Sequence, residues 1–188
     1  MTAGDARRSP GAVARNVEIK ARLVDPEATR RLVVAAADGP PTSLAQTDTF
    51  FRTPRGRLKL REIAGAGAEL IWYQRPDTPD PVESAFTVLP VADGPALREL
   101  LDAALGRRAQ VVKRRLVYLV GRTRVHLDAV EGLGGFLELE VQLADGEPAE
   151  AGIAEARDLM RRLGIGEPSL VAEAYVDLLE RRGPAAPR

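Results

Sequence analysis

The chain has 188 residues, of which 45% are hydrophobic and 29% charged, and its 27 basic and 27 acidic side chains give a formal net charge of zero. This size and composition suit one domain with a buried core, and the neutral balance excludes the global positive field that attracts nucleic acid or anionic membranes. Because the chain has no cysteine and one histidine, disulfides, thiolate chemistry and a multi-histidine metal centre are excluded as well.

The two ends of the sequence are predicted to be disordered tails around a single domain. Residues 1–13 and 182–188 form the tails, and residues 14–181 form the domain. The first fourteen residues lack the apolar core of a signal peptide, and no run has the length and hydrophobicity of a membrane span. We therefore expect a cytoplasmic protein that has neither a membrane nor a nucleic-acid partner.

The first half of the chain is predicted to contain five strands and one helix. Residues 15–23 alternate as a strand does, and Asp25-Pro26-Glu27 then provides an N-cap, a first-turn proline and a favourable acidic residue for a helix through Ala37. Gly39-Pro40-Pro41 ends that helix. Turn-rich segments separate three further strands, at residues 45–52, 56–63 and 68–75, closely enough to indicate antiparallel pairing. A proline-rich loop at residues 76–82 precedes another strand near residues 83–89.

The second half continues with the same kinds of element. Leucines at 97, 100, 101 and 105 form one stripe of a helix over residues 94–105. Three strands and two helices follow, at residues 111–120, 122–129, 135–143, 153–163 and 169–179. The glycine-rich segments 65–68 and 132–135 lack the Lys-Ser/Thr of a phosphate loop and are interpreted as turns. About eight antiparallel strands with helices outside them predict a barrel-like α+β domain.

The charged residues of these strands follow a two-residue spacing. The chain has only three lysines against 24 arginines, and each lysine lies two residues from another charged side chain. Such pairs share one face of a strand, while the residues between them face the other side. The pattern occurs at Glu18/Lys20, Lys59/Arg61, Lys113/Arg115, Arg124/His126/Asp128 and Glu138/Glu140.

The alternation by itself leaves two arrangements open. In a half-solvated sandwich the charged faces meet water and the apolar faces meet the core. In a closed barrel with helices outside, the charged faces line a lumen instead. The restriction of lysine to these pairs favours the lumen, because it indicates positions where a compact ammonium group is needed. Such a lumen would bind a polyanion through its cations and a hard metal ion through its carboxylates.

The order and spacing of eight segments between residues 15 and 180 resemble the CYTH superfamily. That family includes class IV adenylate cyclases, thiamine triphosphatases and inorganic triphosphatases. Its members are built on the triphosphate tunnel, so the resemblance implies a closed eight-stranded antiparallel β-barrel with a charged lumen and flanking helices. The segments are N-V-E-I-K-A-R (16–22), Q-T-D-T-F-F (46–51), G-R-L-K-L-R-E (56–62), E-L-I-W-Y-Q-R-P (69–76), V-K-R-R-L-V-Y (112–118), R-V-H-L-D-x-V (124–130), F-L-E-L-E-V (136–141) and S-L-V-A-E-A-Y-V-D-L-L (169–179).

The resemblance also implies roles for individual side chains. Metal-binding carboxylates are expected at Glu18, Glu138 and Glu140, with Mg²⁺ or Mn²⁺ as the cofactor. Lys20 and Asp128 are the expected catalytic residues, although Asp128 has an equally good alternative role in orienting a neighbouring lysine or arginine. The cations expected to bind the triphosphate are Lys20, Lys59, Arg61, Arg75, Lys113, Arg115 and Arg124.

Two positions depart from the family pattern. The usual opening Glu-x-Glu-x-Lys is Asn16-x-Glu18-x-Lys20 here, which removes a negative ligand and argues against hydrolysis by two metals. Residues 81–86 also lack the basic residue that class IV cyclase-like members tend to carry. For His126 a hydrogen-bonded structural role is favoured over proton transfer. Trp72 and Tyr73 are favoured as packing aromatics over a base-stacking pair.

The resemblance leaves three functions open for this chain. The strand motifs most resemble the class IV adenylate cyclase-like branch, in which the ribose 3′ oxygen of ATP attacks the α-phosphate and pyrophosphate leaves. A triphosphatase acting on a nucleoside, thiamine or inorganic triphosphate is the second function. A non-catalytic triphosphate-binding module is the third. The partner in every case is a small-molecule triphosphate, and the resemblance is also consistent with a homodimer.

Overall fold

The computed structural model describes residues 11–183, which form eight strands, four α-helices and one 3₁₀ turn at Glu167–Ser169. In chain order the elements are β1 (Val13–Arg22), α1 (Pro26–Ala36), β2 (Thr42–Phe51), β3 (Arg57–Ile63), β4 (Gly67–Gln74), β5 (Val82–Val91), α2 (Gly94–Leu105), β6 (Arg107–Val120), β7 (Thr123–Val130), β8 (Gly134–Gln142), α3 (Ala149–Arg162) and α4 (Tyr175–Arg182). None of these helices has the length and hydrophobicity that crossing a membrane requires.

The eight strands close into one barrel. Their order around it is β1-β5-β4-β3-β2-β6-β7-β8, with β8 paired back to β1, and every neighbouring pair is antiparallel. Lys20 is 8% exposed and Lys113 is 4% exposed, so the charged faces of the strands are enclosed. The predicted α+β barrel with a charged lumen is therefore confirmed, and the alternative sandwich with solvated charges is wrong.

Helices cover the apolar outer face of the barrel. Val33 of α1 and Leu159 of α3 pack in one cluster with Ile19, Val125 and Leu137 from three different strands. The helix α2 lies against β2, β3 and β4. Because these outer residues of β1, β7 and β8 are buried beneath helices, the residues that alternate with them must point into the lumen.

The two N-terminal helices begin where the sequence indicates. The carboxylates of Asp25 and Asp93 each accept a hydrogen bond of 2.9 Å from the backbone N–H three residues later, and a proline stands in the first turn of each helix. These caps satisfy backbone donors that a helix leaves free at its start. The predicted range of α2 is matched by the structure, and α1 ends one residue before its predicted limit.

The prediction of a helix over residues 169–179 is wrong for the first half of that range. Residues 170–174 are outside any helix, and α4 begins only at Tyr175. Leu170 pairs with Ala21 as an isolated β-bridge, and the Val171 N–H donates to the Lys20 carbonyl at 2.8 Å. These bonds to β1 replace helical bonds, and they guide the chain across one end of the barrel.

The closing segment, residues 170–182, covers the end of the barrel where β2 and β7 finish and β6 and β8 begin. Tyr175 and Val176 pack there in a cluster with Phe50, Val111 and Phe136. That end of the lumen is consequently apolar and covered.

The first strand and the last helix each extend one residue into the segments predicted as tails. Val13 and Arg182, which the sequence placed in the tails, belong to β1 and α4. Residues 1–10 and 184–188 of the predicted tails lie outside the described residues.

At Gly152 the backbone of α3 lies close against the barrel. A Cβ built there would lie 2.8 Å from both Leu143 Cδ2 and Val17 Cγ2, two side chains that are at most 2% exposed. We expect Gly152→Ala to lower the free energy of unfolding by about 1 to 3 kcal/mol, because overpacking outweighs the gain of about 1 kcal/mol in helix propensity. Urea denaturation measures the change.

Gly39→Ala is the matched control, since a Cβ at Gly39 meets no atom within 4 Å. Its stability should stay within about 0.5 kcal/mol of the unsubstituted protein. An equal or larger loss at Gly39 would contradict the packing explanation.

Candidate functional site

The barrel encloses a cavity of about 140 Å³ to which all eight strands contribute side chains. Among the described residues, eight cationic and five anionic side chains line it. The predicted residues that the structure places there are Glu18, Lys20, Lys59, Arg61, Arg75, Lys113, Arg115, Arg124, Glu138 and Glu140. Asp128 lies behind this lining, is 2% exposed and contacts the lumen through Arg115.

Strand register determines which charges meet across the lumen wall. Lys20 of β1 lies opposite Glu138 of β8, and Glu18 lies opposite Glu140 in the same pairing. Because the register pairs residues on the same face, these two charges of β1 each meet a charge of β8.

Asp48 of β2 is the shared counter-ion of three lumen cations. Its Oδ2 lies 3.0 Å from Lys59 Nζ and 3.5 Å from Lys113 Nζ, and its Oδ1 accepts a 2.9 Å hydrogen bond from Arg61 Nε. Burial would raise the pKa of Asp48, but Arg61, Lys59 and Lys113 outweigh it and hold the pKa well below the ordinary value. Asp48 is therefore an ionised group with almost no access to solvent.

Asp48 lies in the segment at residues 46–51, but no role was predicted for it from the sequence. The available signal was alternation, because Asp48 shares a strand face with Gln46 and Phe50. Register supplies the missing information, since Asp48 pairs with Arg61 of β3. A second unassigned residue is Arg57, which also lines the cavity and binds Asp177 of α4 at 2.8 Å.

Lys59 holds its proton less tightly than an ordinary lysine. Burial lowers the pKa of Lys59 to about 8, assisted by the positive charges of Arg61 and Lys113 and opposed by Asp48. Its ammonium group lies 5.5 Å from the ring centroids of both Phe50 and Tyr73. A substantial fraction of Lys59 is therefore uncharged at pH values just above neutral.

Arg115 connects Asp128 to Glu138. Its guanidinium donates to Asp128 Oδ1 at 2.7 Å, to Asp128 Oδ2 at 2.5 Å and to Glu138 Oε2 at 2.5 Å. Burial would raise the pKa of Asp128, but Arg115 and Lys113 lower it. Tyr175 also donates its hydroxyl to Asp128 Oδ2 at 3.0 Å. These bonds match the role of orienting an arginine that the sequence analysis left open for Asp128.

Tyr175 of the closing segment packs edge-on against Phe136 at 4.9 Å between ring centroids. The structure adds a second role, because its ring lies 4.5 Å from Lys20 Nζ and its hydroxyl binds Asp128. Lys20 also donates to the Glu173 carbonyl at 3.3 Å, and Arg75 donates to the Ala172 carbonyl at 2.8 Å. The closing segment thus supplies acceptors to two lumen cations.

Two of the three predicted metal carboxylates lie in a compact cluster with His126. One ligand atom each from His126, Glu138 and Glu140 lies within 4.8 Å of the other two. Glu18 stands outside this cluster with Arg75 Nε at 3.5 Å. Burial, together with the negative charge of Glu140, raises the pKa of Glu18. The described residues therefore include a set of oxygen and nitrogen donors that could hold a divalent metal.

His126 differs from its predicted role as a hydrogen-bonded structural residue. Its side chain is buried, and its Nδ1 makes no hydrogen bond with any described residue. The nearest charged atoms are Glu140 Oε1 at 3.5 Å and Glu138 Oε2 at 3.7 Å.

A neutral patch lies beside these charges. Asn16 and Ser84 are opposite each other in the pairing of β1 with β5, and Asn16 Oδ1 and Ser84 Oγ are buried without a hydrogen-bond partner among the described residues. Phe86 continues the same face of β5 into the cavity lining. Of the two strand aromatics, Tyr73 lines the lumen, whereas the Trp72 indole donates to the Arg55 carbonyl.

The charged lumen suits exchange of one anion for another. Every cation that Asp48 or Glu138 holds is a donor that a phosphate oxygen could also engage. A polyanion that enters can take over these donors from the carboxylates, and the carboxylates so released can bind a metal. The paired charges also keep the lumen from repelling itself when no ligand is bound.

Asp48→Asn tests this description of the charge network. We expect the variant to lose about 3 to 5 kcal/mol of unfolding free energy at neutral pH, because three buried cations lose their shared anion. The folded-state pKa of Asp48 is depressed, so its contribution is complete above the ordinary pKa of 3.8 and is lost as the pH falls below it. The difference between the two proteins should therefore shrink in acid. Urea denaturation at several pH values measures it.

Asp158→Asn is the matched control, because Asp158 binds Arg161 at 2.8 Å on the surface, where its side chain is 51% exposed. Its effect should stay below about 1 kcal/mol. A difference for Asp48→Asn that does not change with pH would contradict the proposed ionised state of Asp48.

Comparisons with a protein-family model and with a known sequence agree with the resemblance noted in the sequence. The family model described as the CYTH domain matches residues 14–175. The adenylate cyclase CyaB of Aeromonas hydrophila is 29% identical over 176 residues, which cover 88% of each chain.

Two solved structures are similar in fold. The PH1012 protein of Pyrococcus horikoshii superposes with a TM-score of 0.78 at 26% identity, covering 87% of this chain and 99% of the other. A putative adenylyl cyclase from Hippeastrum, described as having a dominant triphosphatase activity, superposes with a TM-score of 0.62 at 21% identity, covering 92% and 98%. The family model covers most of the chain, and the structure has the closed barrel that the resemblance implied. This chain therefore belongs to the CYTH domain family.

Proposed function

We propose that the chain is a metal-dependent enzyme that converts ATP to cyclic AMP and pyrophosphate inside the barrel. The observation that carries the proposal is the excess of cations over carboxylates on the wall of an enclosed cavity. A triphosphate supplies several negative charges in a row, which complements such a wall. The relative named as an adenylate cyclase, similar over 88% of both chains, supports the choice of reaction.

Binding of the triphosphate would use the two groups of paired cations. Lys59, Arg61 and Lys113 are held by Asp48, and Lys20 and Arg115 are held by Glu138. Arginine can engage two phosphate oxygens at once, whereas lysine acts as a point charge. Because the carboxylates already hold these side chains in the lumen, little conformational entropy is lost when phosphate oxygens replace them.

The donor set also fits a divalent metal. Glu138 and Glu140 are buried carboxylates whose pKa values are lowered, because neighbouring cations outweigh the effect of burial. When bound, Mg²⁺ or Mn²⁺ would neutralise charge on the phosphate oxygens. The unpartnered Nδ1 of His126 beside these carboxylates supports the fit.

In the proposed reaction the ribose O3′ forms a bond to the α-phosphorus, and the bond from that phosphorus to the bridging oxygen breaks. The O3′ proton passes to solvent water, and pyrophosphate leaves with the electron pair. Such a transfer needs alignment and charge stabilisation more than a protein nucleophile. Lys20 and Arg115 stabilise the developing charge, and Asp128 positions Arg115 through its two hydrogen bonds.

The neutral patch of Asn16 and Ser84 supports an organic substrate and an internal nucleophile. These residues offer hydrogen-bonding groups without charge, and Phe86 offers an apolar surface on the same strand face. A nucleoside matches that chemistry better than a further phosphate does. The family's acidic residue at position 16 is absent, so a second metal with its own attacking water has one ligand fewer.

Product analysis tests the reaction. The protein is incubated with ATP, GTP, thiamine triphosphate or tripolyphosphate plus Mg²⁺ or Mn²⁺, and the products are separated by chromatography. We expect cyclic AMP and pyrophosphate from ATP. Glu138→Gln and Lys59→Ala should each lower kcat/KM by about 100-fold, because each removes a charge that stabilises the transition state. Arg161→Ala, whose side chain is 71% exposed in α3, is the matched control and should leave the rate unchanged.

The other two functions would give different results in the same experiment. Orthophosphate and a diphosphate would identify a triphosphatase, the activity described for the Hippeastrum protein. Tight binding of a triphosphate without turnover would identify a binding module. Either result would overturn the cyclase proposal.

Triphosphate affinity should also depend on pH through Lys59. Its pKa of about 8 in the free protein rises when phosphate binds, so binding is strongest below pH 8 and weakens as the pH rises above that value. We expect the tripolyphosphate affinity to fall by up to about tenfold per pH unit above pH 8. Titration calorimetry without metal between pH 7 and 9.5 measures the affinity.

Lys59→Arg separates this effect from titration of the ligand itself. Arginine keeps its charge throughout the range, so the variant should lose affinity less steeply than the unsubstituted protein. Equal slopes for the two proteins would show that Lys59 is not the titrating group.

A further inference from the structure

The single histidine of the chain lies on the lumen face of β7. His126 alternates with Arg124 and Asp128 along the strand, and it pairs in register with Glu138 of β8. It is 3% exposed. A polar ring so deeply buried needs a partner for each of its nitrogens, because an unsatisfied buried polar atom costs about 1 to 3 kcal/mol.

The Nδ1 atom of His126 faces two carboxylates without bonding to either. It lies 3.5 Å from Glu140 Oε1 and 3.7 Å from Glu138 Oε2, and no described residue completes a hydrogen bond with it. A neutral imidazole whose lone pair is on Nδ1 would repel both oxygens. A cation placed between the ring nitrogen and the two carboxylates would satisfy all three groups at once.

The separations suit a metal ion better than a proton. A hydrogen bond from an imidazolium would bring nitrogen and oxygen to between about 2.7 and 3.2 Å. Two ligands that are each about 2.1 Å from a metal lie about 3.4 Å apart at a tetrahedral angle. The observed 3.5 and 3.7 Å are close to that edge length.

The surrounding charges favour this position over one beside Glu18. Glu18 already has a cation beside it, with Arg75 Nε 3.5 Å from its carboxylate, and it lies outside the cluster of His126, Glu138 and Glu140. Asn16, the residue two before Glu18, adds no charge. Arg115 binds Glu138 Oε2 at 2.5 Å and must release it to a metal, but it keeps both of its bonds to Asp128.

We propose that Nδ1 of His126 is a direct ligand of the divalent metal, together with carboxylate oxygens of Glu138 and Glu140. The inference rests on the proposed function for the presence of a metal at these carboxylates, and it adds the nitrogen ligand and the metal class. Imidazole suits transition metals, whereas Mg²⁺ prefers oxygen ligands. A mixed nitrogen and oxygen site therefore favours a first-row transition metal over Mg²⁺, and Mn²⁺ is the paramagnetic probe used to test it.

Selective isotope labelling can test the nitrogen ligand directly. Because His126 is the only histidine, ¹⁵N-histidine labels this ring alone, provided that the protein carries no histidine tag. We expect pulsed electron paramagnetic resonance of the Mn²⁺-loaded protein to show a ¹⁴N coupling that changes to a ¹⁵N coupling on labelling. This measurement needs no substitution and no activity.

Metal titrations of variants give the second measurement. His126→Gln should weaken Mn²⁺ binding at least tenfold. Removal of a residue that only supports a metal ligand already costs about 10- to 100-fold in metal affinity, and removal of a direct ligand should cost no less. Mg²⁺ affinity, measured by competition with Mn²⁺, should change less. Glu140→Gln, which removes a carboxylate ligand, should weaken the binding of both ions.

The outcomes separate this inference from the proposed function. If Glu140→Gln weakens Mn²⁺ binding while His126→Gln does not, and no histidine nitrogen couples to Mn²⁺, the metal site stands and His126 is not its ligand. If Mn²⁺ does not bind the unsubstituted protein, both the inference and the metal of the proposed function fail. Should His126→Gln not fold, the labelling result alone decides.

Discussion

Enclosing charge inside a closed barrel is the constraint on which the rest of this structure depends. A buried ion is tolerated only with a partner and with further hydrogen bonds, because its loss of hydration is costly. Asp48 serves three cations and Arg115 serves two carboxylates, so the lumen is a connected network rather than a set of separate pairs. The strands must keep their register, since a shift of one residue would turn every charge toward the helices.

The outer layer supports that network by giving the other face of each strand an apolar environment. Ile19 lies between Glu18 and Lys20 in sequence, yet it is buried beneath the helices with Leu139 of β8. The closing segment then ties the two environments together. Its backbone binds β1 at Lys20, its carbonyls accept from lumen cations, and Tyr175 packs against Phe136 while its hydroxyl reaches Asp128. One end of the site is therefore built by residues far along the chain.

Much of this could be predicted from the sequence because strand alternation is a local property. The charged pairs at Lys20, Lys59 and Lys113 fixed a common face, and the family resemblance showed that this face points inward. What the sequence could not show depends on contacts between distant elements. The role of Asp48 requires the register of β2 against β3 and β6, and the extended course of residues 170–174 requires a bond to β1. The position of His126 Nδ1 beside two carboxylates, without a hydrogen-bond partner among residues 11–183, likewise appears only when β7 and β8 are paired.

The proposed metal and substrate are expected to bind cooperatively because each of them breaks the same internal ion pair, between Arg115 and Glu138. Arg115 occupies Glu138 Oε2, the oxygen that also faces His126, so the metal-binding atom is blocked while the arginine remains there. A phosphate that attracts Arg115 releases this oxygen, and a metal that takes the oxygen releases Arg115 for phosphate. Each ligand thus removes a cost from the binding of the other, and by thermodynamic linkage the gain is equal in both directions. The ion pairs of the empty lumen hold these groups in position until both ligands are present.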